Sequence, residues 1–418
     1  MNRAARHHQD LNNQTPKIGS HGPFRSLEDP DWKKLWIVGH FLNVSFWLEF
    51  IVLTWLTLQI TNSPFAVGIV GTLRFLPEPI LGLISGAQAD RFPKKRILQL
   101  AQLLNLISVS MMLIAAITDS INMPLIYMAS LLTGSAWAID FPVRRAYIRD
   151  LVPDHHVQNA MALDSSSLTL SLMLGRWGAG GILAIQGPLL AYSVLIILYS
   201  LGFLQLLRVA SLKPIATENR TSFVRTLIQG WQLVWGTPLL RGIFLITFTV
   251  NFFVFPYFSF APVFARDVFD VGEGWLGIMS GMDGFGALIG TSVIAVVTIK
   301  RRGFFHVFGA AWLSLGVFFY AFAPNFWSAL PLLFISGVGM SLFATMQNTL
   351  VLTTVSAEMR GRALGIMMLS LGVLSPGLVW VGSMVKIFGI RQAVGLNALL
   401  ACVLVILIGI AIRDLRRS

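Results

Sequence analysis

"SGAQADRFPKKRIL", Ser85 to Leu98, sets a dense knot of charge between two apolar runs. The first run stops at Asp90. Arg91, Lys94, Lys95 and Arg96 follow, and apolar residues then resume at once. Such a knot has meaning only against the runs that flank it, and those runs recur along the whole chain. Of its 418 residues, 55% are hydrophobic and 12% charged, where a soluble domain carries roughly 25% charged residues. A run of about 20 apolar residues is what a helix needs to cross a bilayer. The pattern predicts an all-α polytopic membrane protein.

Twelve transmembrane helices are expected. The first six lie near 36–60, 66–89, 96–118, 122–146, 157–183 and 188–209; the others lie near 240–263, 274–299, 304–323, 327–350, 362–386 and 391–412. The links between them alternate in charge. One set begins with Arg3, Arg6, Lys17, Arg25, Lys33 and Lys34 and ends with Arg413, Arg416 and Arg417. It takes in the bases near 91–96, 144–149, 208–241, 300–302 and 360–362, and holds 26 of the 31 Lys and Arg. The opposite set holds only Arg266, Lys386 and Arg391. Basic residues stay on the cytoplasmic side of short loops, so both termini are expected in the cytoplasm of a multi-pass protein of the plasma (inner) membrane. The net charge of +12 is thereby an orientation signal and excludes a nucleic-acid partner.

The expected organisation is a polar tail over 1–34, a six-helix bundle over 35–209, a cytoplasmic link over 210–238, a second six-helix bundle over 239–412 and a tail over 413–418. The first tail has no apolar core of the kind a cleavable signal peptide needs. Within the link, Phe223, Leu227, Trp231 and Trp235 recur every four residues, which predicts an amphipathic helix on the membrane surface, a strut between the halves. The single Cys402 excludes an intramolecular disulfide. His155 and His156 have no further ligands spaced for a metal, and no cofactor is expected. "GFGALIG", 284–290, imitates a dinucleotide fingerprint, but no strand precedes it; glycines here suit helix packing.

The chain also repeats itself. Slid by 203 residues, "GSAWAIDFPVRRAYIRDLVPDHHVQNA" (134–160) falls without a gap on "GVGMSLFATMQNTLVLTTVSAEMRGRA" (337–363). Gly134 meets Gly337, Val152 meets Val355, and Arg144–Arg145 meets Gln347–Asn348. Two halves of like orientation form a parallel pseudo-repeat about an axis along the membrane normal, a plan that lets halves rock about a site between them.

"GAQADRFPKKR" resembles the loop between the second and third helices of the major facilitator superfamily, roughly G-x-x-x-D-R-x-G-R-[RK]. Gly86, Asp90, Arg91, Lys94 and Lys95 match it, and Pro93 stands where the family usually has Gly. "FPVRRAYIRDLVP" (141–153), "NAMALDS" (159–165), "AEMRGRALG" (357–365), "NSPFAVGIVGTLRFLPEPILG" (62–82) and "LIQGWQLVWGTPLLRG" (227–242) are similar to the enterobactin-exporter and macrolide-efflux branch. The resemblance implies a secondary transporter working by alternating access, with proton-coupled export of a small amphipathic, drug- or siderophore-like solute by a monomer in lipid. Uptake, flipping of a lipid-like substrate and a non-transporting sensor stay open as alternatives. An intramembrane protease is not expected, since the chain lacks Tyr-Asp with Gly-x-Gly-Asp and lacks His-Glu-x-x-His.

By the same resemblance, Asp90 faces the start of the eleventh helix near Arg362 as a cytoplasmic gate, where a carboxylate meets unpaired N–H groups for about 0.3–2 kcal/mol. Gly86 permits close approach there. Arg91, Lys94, Lys95, Asp140, Arg144, Arg145, Arg360 and Arg362 complete the gate group, with Asp140 neutralising Arg144 or Lys94. The second-half loop "TIKRRGF" keeps the bases and lacks the acid.

Charges inside spans cost about 2.5–3.5 kcal/mol each at the bilayer centre. Glu49 lies in the first span, Arg74 and Glu78 in the second, Asp164 and Arg176 in the fifth and Asp283 in the eighth. Each is either half of a structural pair or part of a proton or substrate site. Arg74 and Glu78, four apart on one helical face, suit a pair. Arg176 suits either an anionic or hydroxyl-rich substrate or an acid on a neighbouring helix, and it stands where drug–proton antiporters of the family usually show Pro after Gly. Glu49 has no base three or four residues away and is the leading coupling candidate, since a carboxyl removed from water can exchange a proton near neutral pH. Asn251, Phe252, Phe255 and Tyr257 of the seventh span, whose outer end is broken by Pro256 and Pro262, are expected to line a cavity together with Gln347 and Asn348.

Overall fold

The computed structural model describes residues 24–89, 91–212, 223–297, 299–355 and 359–417. Every regular element among them is helical. The helices are α1 (Pro30–Thr61), α2 (Pro64–Phe75), α3 (Glu78–Ala89), α4 (Lys94–Ile117), α5 (Met123–Leu151), α6 (Asp154–Leu207), α7 (Phe223–Gly236) and α8 (Pro238–Thr249). After α8 the chain runs through π- and 3-10-helical turns to Val268. Then come α9 (Glu273–Val296), α10 (Arg302–Ala321), α11 (Phe326–Thr354), α12 (Arg360–Gly372), α13 (Leu374–Phe388), α14 (Ile390–Ala411) and α15 (Arg413–Arg417).

Among the described residues ten helical stretches are long and apolar enough to cross a membrane. One of them, α6, runs for 54 residues, about 80 Å at 1.5 Å per residue, against a hydrocarbon core of about 30 Å. It is broken at Gln186 and Gly187, where φ reaches −148° and +63°. Gly187 fits a left-handed position that an L side chain resists, and Pro188 follows with no N–H to continue the ladder. The 29-residue α5 is not among the ten. It is long enough to cross, but Asp140, Arg144, Arg145, Arg149 and Asp150 crowd its last third.

The second expected span is also two helices. Pro77 cannot donate to the carbonyl of Leu73, and Leu76–Pro77 form a turn between α2 and α3. Arg74 and Glu78 therefore do not share the regular helix that their spacing suggests. In the seventh expected span, Pro256 and Pro262 fall in the irregular stretch, which is π-helical over Val250–Val254 and 3-10-helical over Phe255–Phe260.

The chain packs as two compact units. The first comprises the described residues of Met1–Glu49, Leu76–Gly175 and Gln186–Arg220. In it α5 packs on α3 and α4, with Ser85 Oγ donating to the Ala138 carbonyl (3.3 Å) and Ser108 Oγ to that of Ala129 (3.4 Å). The second comprises the described residues of Phe50–Phe75, Arg176–Ile185 and Thr221–Ser418. There α11 packs on both α9 and α10, α10 on α14, and α2 on α13. Small residues let these backbones meet. Gly180 of α6 lies so close to Gly277 of α9 that a Cβ on either would overlap the other's backbone. In α7, Trp231 and Trp235 are exposed on one side and pack edge-on with each other and with Phe244 of α8.

The Gly180–Gly277 crossing is tested by Gly180→Leu, which must push α6 and α9 apart at a cost of roughly 1–3 kcal/mol for overpacking. Its melting temperature in detergent should fall clearly below that of Gly181→Leu, whose added Cβ meets nothing within 4 Å. Equal melting of the two variants would remove the crossing as a structural constraint.

Candidate functional site

Most of the buried charges among the described residues collect in one cluster in each unit. In the first, α5 carries Arg144 two turns before its end, and that residue is 2% exposed. Its Nε donates to Asp140 Oδ2 at 2.9 Å, Nη1 to Asp164 Oδ1 at 3.1 Å and Nη2 to Asn43 Oδ1 at 3.1 Å. A side chain at Gly39 would collide with this guanidinium, so glycine there lets Arg144 lie against α1. Arg145 pairs with the other Asp164 oxygen at 3.5 Å and lies 4.3 Å from the centre of the Phe141 ring. Two acids and two bases are thus balanced, which offsets the cost of their burial.

Around this cluster, Lys94 pairs with Asp150 at 2.7 Å, and Lys95 donates to the carbonyls of Leu207 (2.8 Å) and Val209 (2.7 Å). Lys95 thereby satisfies carbonyls at the end of α6, where the negative helix end attracts a cation. Glu49 is fully buried at the last position of α1 that belongs to this unit. The Tyr199 hydroxyl donates to its Oε2 at 3.4 Å. Tyr199 also lines, with Asn105, Thr133 and Asp140, a cavity of ≈ 10 Å³, about the space one water needs.

In the second unit, Arg176 of α6 meets Asp283 of α9. Nη1 lies 3.0 Å from both carboxylate oxygens and 2.9 Å from the Ser280 carbonyl. Tyr257 donates to Asp283 Oδ2 at 2.6 Å, and the Gly284 N–H to Oδ1 at 2.6 Å. The Phe258 ring sits 5.4 Å from the guanidinium. Tyr320 and Met279 help close a second cavity of ≈ 10 Å³ beside the pair. Two further contacts lie in this unit. Arg266 donates to the Leu58 carbonyl (3.0 Å) and Asn62 Oδ1 (2.9 Å) at the end of α1, and Thr72 of α2 donates to the Ser375 carbonyl at 3.2 Å.

The remaining candidates fall as follows. Arg74 is buried, 5.7 Å from the Phe50 ring centre. Glu78 is half-buried as the first residue of α3. Asn251 donates to Thr247 within its own helix at 2.8 Å. Phe252 stacks with Phe248 and faces Trp380, a packing role against α13. Phe255 reaches Phe343 of α11. Gln347 is half-buried and Asn348 exposed on α11. Asp90 lies outside the described residues. Arg91 is exposed, and among the described residues nothing lies within 4 Å of a Cβ built on Gly86. Arg360 and Arg362 open α12. Sequence reasoning missed Asn43, Tyr199, Tyr320 and the role of Arg266. None carries a motif, and Arg266 was legible only as a rare base on the side opposite the basic links.

Residues 35–379 match the family model described as the Major Facilitator Superfamily. The chain belongs to this superfamily. Among its relatives within the superfamily, the Staphyloferrin A transporter of Staphylococcus aureus (strain NCTC 8325 / PS 47) is 23% identical over 351 residues, covering 82% of this chain and 87% of that protein. The multidrug efflux pump Tap of Mycolicibacterium fortuitum is 22% identical over 334 residues, covering 77% and 80%. Among solved structures, that of nucleoside transporter NupG superposes with a TM-score of 0.69 at 15% identity, covering 92% of this chain and 99% of that one. The protein is therefore a multi-pass membrane protein with the fold of the superfamily's transporters.

The Arg176–Asp283 pair yields a stability test. Asp283→Leu alone leaves a buried guanidinium short of its carboxylate and should cost roughly 3–5 kcal/mol. Arg176→Met combined with Asp283→Leu removes both charges and should recover most of that loss in a detergent melting series. A double variant as unstable as the single one would mean that the pair is not what the site depends on.

Proposed function

We propose that the protein is a proton-coupled exporter of small amphipathic solutes, working by alternating access as a monomer with both termini in the cytoplasm of the plasma (inner) membrane. Counting α5 as a span and α6 as two brings the ten apolar stretches to twelve crossings, six on each side of the link that contains α7. The Arg176–Asp283 pair carries the reading. It joins a helix from before that link to one from after it, inside the apolar zone, through an acid that a proton can neutralise. The contacts of Arg266 and Thr72 join the same two parts of the chain, that of Arg266 at the end away from the basic links and that of Thr72 within the span. A siderophore transporter and a multidrug efflux pump among the relatives support a solute of mixed polarity.

In this reading the contacts around Arg176 hold the outer side shut. Opening that side must separate α6 from α9, and a proton on Asp283 removes the Coulombic part of the contact while the Tyr257 hydroxyl still has an oxygen to bond. Glu49 is the coupling acid of the first unit. Buried and held by Tyr199, it can carry a proton in one state and release it when the cavity opens to water. Asp164 serves as counter-ion to Arg144 and Arg145, and the Lys94–Asp150 and Lys95 contacts hold the cytoplasmic ends of α4, α5 and α6. Asp90, with Arg360 and Arg362 at the start of α12, closes the cytoplasmic side.

Loaded proteoliposomes and a panel of amphipathic compounds test this directly. At least one compound should be concentrated only when a pH gradient is imposed. Glu49→Gln, a permanent mimic of the protonated acid, should abolish that accumulation and leave equilibrium exchange largely intact. Concentrative transport by Glu49→Gln at the wild-type rate would exclude the coupling role. Orientation is checked in a Cys402→Ser background: Lys95→Cys should resist an impermeant thiol reagent added to intact cells, and Asn325→Cys should react. Labelling in the reverse pattern would invert the topology and with it the direction of transport.

A further inference from the structure

Under the 203-residue slide, Asp150 of α5 falls on Thr353 of α11. In the first unit Asp150 has a definite partner, Lys94 at 2.7 Å, and the pair ties the end of α5 to the start of α4. The second unit keeps the bases and has a hydroxyl in place of the acid. Lys300, Arg301 and Arg302 lead into α10, and all three are exposed. Among the described residues none of their side chains makes an ion pair or a hydrogen bond. Instead Lys300 and Arg302 line, with Thr353, Thr354, Leu239 and Leu350, a cavity of ≈ 370 Å³. Its size lies within the range of small-ligand sites, about 300–1,000 Å³.

The lining combines two bases, two hydroxyls and three apolar side chains, Leu239, Ile299 and Leu350. Helix α10 starts here with no side-chain cap and no acid in its first turn, so its positive end adds to the two cations. The end of α11 brings carbonyls of opposite sign, and the two helix ends offset one another. Among the described lining residues the charged ones are Lys300 and Arg302. Val293, Val296 and Val297 before the basic link, and Phe304 and Phe308 after it, are all exposed. A free phosphate ion has no use for such neighbours, whereas acyl chains do.

We propose that this cavity binds the headgroup of an anionic phospholipid, whose phosphate takes the place that Asp150 holds in the first unit. Lys300 and Arg302 neutralise the phosphate, Thr354 can donate to its oxygens, and Thr353 can do so by turning its hydroxyl away from the Thr349 carbonyl, to which it donates at 2.9 Å. The exposed valines and phenylalanines receive the acyl chains. Basic pockets at helix ends on the cytoplasmic side are suited to such headgroups. The site stands independently of the transport reading, which supplies only the leaflet.

Native mass spectrometry of the purified full chain in a neutral detergent tests the site, with phosphatidylglycerol and phosphatidylcholine of identical acyl chains as probes. The wild type should retain phosphatidylglycerol more tightly. Lys300→Ala with Arg302→Ala should weaken it about 25-fold, roughly a factor of five for each basic group. Thr353→Asp restores the acid of the first unit and should weaken it likewise, while the neutral isostere Thr353→Asn should not. Equal retention of the two lipids by the wild type would overturn the proposal, as would full phosphatidylglycerol binding by Thr353→Asp. Displacement of the lipid by inorganic phosphate at comparable concentration would make this a free-anion site and equally overturn it.

Discussion

A charge in the apolar zone of a bilayer has no water to turn to, and the structure is organised around that constraint. An unpaired buried ion costs several kcal/mol, so each cation must find acids or π-faces and each acid must find donors. Arg176 and Asp283 show the solution at its most compact. One guanidinium nitrogen serves both carboxylate oxygens and the Ser280 carbonyl, while Tyr257 and the Gly284 N–H complete the acid's partners. Such a site can exist only where backbones come close, and the Gly180–Gly277 crossing one turn away provides that approach. Packing and charge are thus one arrangement: glycines bring α6 to α9, and the ion pair then has a partner within reach.

That arrangement also decides what can move. A hydrophobic contact in lipid is weakly specific, since acyl chains replace apolar side chains at little cost. A buried ion pair cannot be exchanged for lipid, so it separates only when a proton, water or a polar solute replaces one partner. The Arg144 cluster differs in kind. Arg144 has three partners, Asp140, Asp164 and Asn43, so losing one contact leaves two in place. A cation with several partners suits a rigid body, and a pair with few alternatives suits a switch.

Much of the fold was legible because crossing a bilayer leaves a coarse signature. The first span, expected at 36–60, is the core of Pro30–Thr61, and the gap left between 183 and 188 contains the break at Gln186–Gly187. The break at Pro77 was signalled by Pro77 and Pro79 but masked by the apolar run around them. The pairing of the charges was less legible. Arg176 and Asp283 are 107 positions apart, and no periodicity links them; only the need of a buried arginine for an acid pointed to such a partner. Asp164 looked like an isolated intramembrane acid. Its place beside Arg144 depends on how α6 is rotated about its axis, and the polar residues crowded around it, such as Gln158, Asn159 and Ser165 to Ser167, leave no single stripe that would reveal that rotation. The same holds for Tyr199 and Glu49, 150 positions apart.

The weak internal repeat explains why the two halves are not equivalent at their basic ends. Both keep a cluster of bases between their second and third spans, because orientation requires it. Among the described residues only the first half answers them from within, with Asp150 for Lys94. The position that corresponds to Asp150 in the second half, Thr353, is neutral, and Lys300 and Arg302 line a cavity there. Duplicated halves start out with equal demands for neutralisation. Losing acids from one of them transfers that demand to the surroundings, and for a protein at a membrane surface the available anions are the headgroups of its lipids. Ionic strength and lipid charge should then act on the second half's basic end and leave the internally balanced first half largely unaffected.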